Sequence, residues 1–335
     1  MTDIIYVEDD IRDHPRTVAI LARYPQAEIV ACDRYQAVFN RRDQNFRLQK
    51  RRPSLILARK HEGHVLAAPA GYGIGGTRNF YFSHMYNCVF DCQYCFLQGM
   101  FQSAHYVVFV NFEDFARAIA TEHRRGNGEP TYFYSGYDCD SLAFDATTGF
   151  VDAFLPTFAD LPGAWLELRT KSVAVSRLLA RPAMDNVVVA FSLGPSELSE
   201  GVEVGVPSVD RRLEAARRLA AAGWPIGLRF DPVLYDPAYV ELYNRLFERV
   251  FAVIPAERVH SVSIGPLRFP KAMFDTIWRQ QPQGRVLSGP LTRRGNMMSY
   301  APQLEQQMHR FCVDAVSQYM PPERLFACLP PEWAG

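Results

Sequence analysis

The chain has 335 residues, 48% of them hydrophobic, which is enough for a large buried core and for one large α/β domain or two smaller ones. Lys+Arg and Asp+Glu both number 36, so the net charge is near zero and excludes a whole-molecule pull toward nucleic acid or anionic membrane; a basic binding surface has to be local. No apolar run approaches the roughly 18 residues that cross a bilayer, and Met1-Thr2-Asp3 opens an acidic stretch rather than a basic leader, so the expectation is a cytoplasmic protein with no membrane segment.

In chain order, Ile4–Val7 reads as a strand, and Arg41-Arg42 and Lys50-Arg51-Arg52 add local basic charge. Residues 1–75 are expected to form a small N-terminal α/β extension. From residue 76 to 284, short apolar or β-branched runs alternate with amphipathic stretches. Phe80–Ser83, Tyr132–Ser135, Trp165–Arg169, Val187–Ser192, Ile226–Phe230 and Val259–Ile264 read as six strands. Between them, Asp210–Ala222 reads as a helix capped by Asp210 and stopped at Gly223. Its apolar stripe carries Leu213, Ala216 and Ala220, and Arg211, Arg212, Arg217 and Arg218 are assigned to a solvated face. Repeated strand–helix alternation implies parallel pairing with right-handed crossovers, as a partial β/α barrel or an open doubly wound sheet. Either places a site at the strand ends. Residues 285–335 are expected to carry a hairpin around Gly295-Asn296, then a helix over Gln303–Tyr319 that Pro321-Pro322 stops.

Seven cysteines are an odd number, and three crowd into eight positions as Cys88-x3-Cys92-x2-Cys95. That spacing argues for a metal centre in a reducing compartment rather than a disulfide framework. Three close thiolates can ligate three irons of a [4Fe–4S] cubane and leave the fourth open, where the methionyl group of S-adenosyl-L-methionine can chelate for reductive cleavage to a 5′-deoxyadenosyl radical. The residues alone also allow a zinc knuckle, with His84 or His105 as the fourth ligand, but no second paired-cysteine knuckle occurs. Tyr94 and Phe96 flank Cys95 and suit an apolar shell or an adenine contact. Cys32, Cys312 and Cys328 stand alone and read as buried small hydrophobes.

The run Cys88–Gln98, followed in order by Cys139–Asp145, Leu168–Ser172, Phe191–Leu193 and Pro207 through Asp231-Pro232, resembles the spore photoproduct lyase family. Gln44-Asn45-Phe46 and Pro53–Ala58 extend the likeness upstream, so it covers nearly the whole length. The resemblance implies an α/β fold with a partial (β/α)6 TIM-like barrel. It implies a radical lyase that reverts the ultraviolet thymine dimer 5-thyminyl-5,6-dihydrothymine, with a [4Fe–4S] cluster on Cys88, Cys92 and Cys95 and S-adenosyl-L-methionine as cofactor. Cys139 stands where the family's hydrogen donor is expected. Tyr94, Ser141, Lys171 and Ser192 match cofactor contacts, with Tyr94 also a catalytic candidate, and Gly136 would let backbone approach the ligand. Arg293, Arg294 and Tyr300 loosely match a DNA-contacting hairpin, the arginines for phosphates and the tyrosine to wedge among bases. Ultraviolet-damaged DNA and an electron donor such as flavodoxin or ferredoxin are the implied partners. One departure stands out: Phe96 occupies the place of a family tyrosine thought to relay hydrogen, and it has no O–H. That leaves open direct transfer, relay through another residue such as Tyr94 or Tyr137, consumption of cofactor at each turnover, or a radical enzyme acting on another lesion, nucleoside or small metabolite.

Overall fold

The computed structural model of the chain describes residues 2–328. Its N-terminal part alternates β1 (Ile4–Glu8), β2 (Glu28–Cys32) and β3 (Leu55–Ala58) with the short helices Pro15–Leu21 and Phe46–Lys50. Next come β4 (Leu66–Ala67), β5 (Arg78–Tyr81), β6 (Met85–Tyr86), β7 (Asp91–Cys92) and β8 (Tyr106–Phe109). Longer strands and helices then take over: β9 (Thr131–Tyr134), β10 (Ala164–Thr170), β11 (Val187–Ser192), the short β12 (Glu203–Val204), β13 (Ile226–Val233) and β14 (Val259–Pro266). The chain closes with β15 (Arg268–Pro270), β16 (Leu291–Arg294), β17 (Met297–Tyr300) and β18 (Leu325–Ala327).

All six strands expected from periodicity are present as β5, β9, β10, β11, β13 and β14, and they pair in parallel in that order. The reason lies in composition: β11 is buried at every position, as a parallel strand covered on both faces must be. The sheet forms the partial β/α barrel, with helices such as Phe112–Arg124, Phe150–Ala159 and Tyr239–Val253 packed outside it. Its edges are taken by β4, antiparallel to β5, and by β18, parallel to β14.

A second sheet runs β2-β1-β3-β8-β6, so the N-terminal layer draws two strands from beyond residue 76 and is not built from residues 1–75 alone. The helix expected at Asp210–Ala222 spans Val209–Ala221; Ser208, not Asp210, caps it by accepting from Arg211 N. Arg212 is not on a solvated face: Val209, Arg212, Leu213 and Ala216 follow the i, i+3, i+4, i+7 spacing, and all four are buried. The C-terminal hairpin exists as β16–β17, turning at Gly295 with φ +58°, and β15 completes a three-stranded sheet. The following helix covers Pro302–Val316, shorter at its C-terminal end than expected. Among the described residues no helix is long and apolar enough to cross a membrane.

Candidate active site

A cavity of about 620 Å3 opens at the carboxyl ends of the parallel strands. It gathers Cys88, Cys92 and Cys95 with Tyr94, Cys139, Lys171 and Ser192, which come from separate segments of the sequence.

The cysteine loop is held by bonds from its own and neighbouring side chains. Asn87 takes a left-handed conformation, φ +66°, and its buried amide donates to Ser103 O and His105 O, each at 2.8 Å. Arg47 grips Asp91 through two bonds of 2.6 and 2.8 Å, Gln98 Nε2 donates to Cys92 O at 2.7 Å, and Lys50 donates to Cys88 O. All seven cysteines are free. Burial pushes the Cys88 thiol up to about 12 and also raises Cys92 and Cys95, so ionising them calls for a bound cation. Among the described residues no three His, Cys, Asp or Glu side chains converge as one ion would require. The cubane, whose ligated irons stand apart on its corners, does not need such convergence, and three thiols around one cavity suit it. The zinc alternative also lacks its fourth ligand: the His84 ring is buried at 3.9 Å against Phe150, and His105 Nδ1 accepts from Ser54 N.

Behind Tyr94, Lys171 and Ser192 lies a buried network that the sequence reading missed. Glu203, paired with Cys92 across β12–β7, accepts from the Tyr94 hydroxyl through Oε1 and from Arg212 Nη2 through Oε2 at 2.5 Å. Lys171 Nζ stands 4.0 Å from the same carboxylate and 5.4 Å from the centre of the Tyr94 ring. Arg212 Nη1 also donates to Ser192 O at 2.8 Å, so one ion pair fixes three cavity residues. Burial, then the Glu203 charge, pushes the Tyr94 phenol well up, which keeps its proton. Glu203→Gln is expected to lower stability by about 3 kcal/mol, because it strands the Arg212 charge in the interior. Urea denaturation checks this; an unchanged midpoint would mean that the pair does not hold the site.

Cys139 is buried on the cavity wall with its thiol 3.6 Å from Ser135 O. Burial, then Cys88, Asp140 and Asp138, pushes that thiol well up, so its S–H stays intact. Asp140, beside it, accepts from Thr170 Oγ1 and Lys171 N at 2.6 Å each, and from Leu142 N and Ala143 N. It ties the Cys139 turn to the end of β10. Ser141 does not reach the cavity as expected: its hydroxyl bonds Ser135 Oγ at 2.8 Å inside the wall. Gly136 lines the cavity, but the close approach it permits is to protein, since a Cβ there would sit 2.9 Å from Arg169 O and Ser141 Oγ. Phe96 also lines the cavity, and its ring centre lies 5.8 Å from that of Tyr137.

Charged groups on β10 and β13 complete the site. Arg169 Nη2 stands 3.3 Å from Asp231 Oδ2 and Nη1 the same distance from Tyr72 OH. Burial pushes the Asp231 carboxyl up, yet Arg169 and Arg268 together hold it below its ordinary value. Cys328 is not an ordinary core thiol, because it borders the cavity within 3.1 Å of Arg268 Nη2. The expected DNA-contacting residues lie outside the cavity. Tyr300 is not displayed to bases as expected: it is buried and its hydroxyl accepts from Tyr235 N at 2.8 Å, so it anchors the hairpin. Arg294 pairs with Glu305 at 2.7 Å, while Arg293 is exposed and bonds Gly295 O within the turn.

The family profile for spore photoproduct lyase matches residues 80–301. The spore photoproduct lyase of Bacillus subtilis (strain 168) is 26% identical over 202 residues, 59% of this chain and 59% of that protein. The one from Geobacillus sp. (strain Y412MC61) is 28% identical over 184 residues, 54% of this chain and 52% of that protein. The chain thus matches little more than half the length of these curated relatives. A solved spore photoproduct lyase mutant with bound AdoMet and dinucleoside spore photoproduct superposes with a TM-score of 0.83 at 18% identity, covering 98% of both chains. A spore photoproduct lyase complexed with the dinucleoside spore photoproduct gives 0.82 at 18% identity and the same coverage. These two likenesses establish the shared fold, and the profile match over most of the barrel and the hairpin makes this chain a member of the spore photoproduct lyase family.

Proposed function

We propose that this protein is a radical S-adenosyl-L-methionine lyase that reverts 5-thyminyl-5,6-dihydrothymine in ultraviolet-damaged DNA to two thymines. The observation that carries the reading is the opening of Cys88, Cys92, Cys95 and the protonated Cys139 onto one cavity. Cys88, Cys92 and Cys95 would hold the [4Fe–4S] cluster. Tyr94, Lys171 and Ser192, braced by Glu203 and Arg212, would bind S-adenosyl-L-methionine, the lysine ammonium suiting its carboxylate. When bound, the two groups supply a 5′-deoxyadenosyl radical, given one electron from a donor such as flavodoxin or ferredoxin. The protein's part is then to hold the lesion against that radical, exclude water, and return a hydrogen. After a hydrogen leaves carbon 6 of the dihydrothymine and the methylene bridge breaks, Cys139 donates the hydrogen of its S–H to the thymine radical, leaving a thiyl.

Phe96 supports a second reading in the same class, a radical enzyme acting on a different lesion or nucleoside, because the position lacks an O–H for hydrogen return. One experiment separates them: anaerobic turnover of the reconstituted, reduced protein with S-adenosylmethionine and a dinucleotide carrying the spore photoproduct, following thymine products and 5′-deoxyadenosine together. Restored thymines are the expected result. Deoxyadenosine without repair would keep the radical chemistry and overturn the substrate.

A further inference from the structure

Three cationic side chains line the cavity: Arg169, Lys171 and Arg268. Arg169 faces Asp231 at 3.3 Å, and Lys171 stands 4.0 Å from Glu203, which Arg212 already holds at 2.5 Å; Lys171 is the cation assigned above to the cofactor carboxylate. Arg268 has no carboxylate of its own. Its Nη1 donates to Pro266 O at 3.2 Å, its Nη2 rests 3.1 Å from the Cys328 thiol, and Asp231, already held by Arg169, is 4.0 Å away. A thiol is a weak acceptor, so the guanidinium keeps donor capacity that a charged acceptor would use far better. Among the described residues Arg169 and Arg268 share the single Asp231, which leaves one positive charge on this wall.

The surroundings fix the position of that charge. Arg268 lies on β15, paired with Ser299 of the hairpin strand β17, and its side chain is 21% exposed. Gly265 makes room for it, since a Cβ at that position would come within 3.1 Å of both Arg268 Nη1 and Asp231 Oδ1. Around it the cavity wall is apolar, with Leu267, Pro270, Met273 and Met297. A ligand matching this wall has neutral, largely apolar faces and one anionic group. Two thymines joined through their deoxyriboses have that composition, because the bases are neutral and a single phosphodiester links the sugars.

We propose that Arg268 is the subsite for the phosphodiester joining the two nucleosides of the lesion, so that the enzyme selects a dimer within a strand over the same bases without the link. This rests on the lyase reading given above. It also assigns the C-terminal hairpin a different role from a surface wedge: β17 holds β15, and β15 presents the arginine inside the cavity.

The test is calorimetric binding to the reconstituted holoenzyme, with S-adenosylmethionine present, of the spore photoproduct dinucleotide and of the dinucleoside lacking the phosphodiester. The wild-type protein is expected to bind the phosphodiester-linked form about tenfold more tightly at low salt, the scale of one charge-assisted bond. Arg268→Met is expected to remove that preference and Arg268→Lys to keep part of it. Should the methionine variant bind neither ligand, Arg268→Gln replaces it in the comparison. A wild type indifferent to the phosphodiester, or neutral variants that keep the full preference, would overturn the subsite. Turnover measured on the same samples separates the two ideas. An Arg268-dependent phosphodiester preference without repair keeps the subsite and removes the lyase, and repair without the preference does the reverse.

Discussion

Cys92→Ala is expected to abolish both the iron–sulfur cluster and all cleavage of S-adenosylmethionine, while the protein still folds. The backbone around residue 92 does not depend on its thiol. Cys92 O accepts from Gln98 Nε2 and from Cys95 N, Gln93 N donates to Val202 O, and β7 pairs with β12. Arg47 and Asn87 hold the rest of the loop. Removing one sulfur therefore takes away a ligand and little else, and a cubane with two protein ligands has a second exposed iron. Iron and sulfide content, the anaerobic visible spectrum and 5′-deoxyadenosine production are the measurements. A variant that still cleaves the cofactor would remove Cys92 from the ligand set.

Cys139→Ala should separate the two halves of the reaction. Hydrogen abstraction is expected to survive, so 5′-deoxyadenosine still forms, while clean return to thymine falls by about two orders of magnitude, taking the lower end of what one positioned proton-transfer group contributes as the scale for a hydrogen-atom donor. The unquenched thymine radical would then be trapped in side adducts. The assignment draws on the thiol's surroundings, because burial and the neighbouring acidic groups keep the hydrogen on sulfur, where a weak S–H bond can be given up as an atom. Asp140 keeps the turn in place through its own four bonds, so a small residue at 139 should leave Lys171 where it is. Thymine yield and adducts, read by mass spectrometry, decide the matter; unchanged repair would exclude Cys139 as donor.

The barrel was legible because its strands are continuous apolar runs with clear breaks, as in Val187–Ser192, where the expected and observed bounds coincide. The cysteine loop was legible because ligand spacing is local in sequence. The network behind it was not, since Glu203 and Arg212 lie more than a hundred residues from Tyr94 and meet it only through tertiary packing. Two signals were nonetheless present. Arg212 occupies an apolar-stripe position of its helix, and a charge there implies a buried partner. Glu167 and Arg169 on β10, with Arg229 and Asp231 on β13, are charges two residues apart in otherwise apolar strands. That period puts each pair on one face, where Glu167 meets Arg229 at 2.8 Å and Arg169 meets Asp231. Tyr300 was not legible for a different reason: a tyrosine beside paired arginines looks like a DNA contact, and nothing in the sequence showed that Tyr235 N would claim its hydroxyl.

The return of β18 to the edge of the main sheet bears on how the protein is made. Cys328, just past that strand, supplies part of the cavity wall, whereas Cys88, Cys92 and Cys95 belong to the first third of the chain. On a ribosome, synthesis runs from the N-terminus and early segments begin to fold before later ones emerge. The three cysteines proposed to hold the cluster are therefore synthesised long before the strand that contributes Cys328's part of the wall. The part of the cavity wall that Cys328 supplies is missing until residue 328 has been translated.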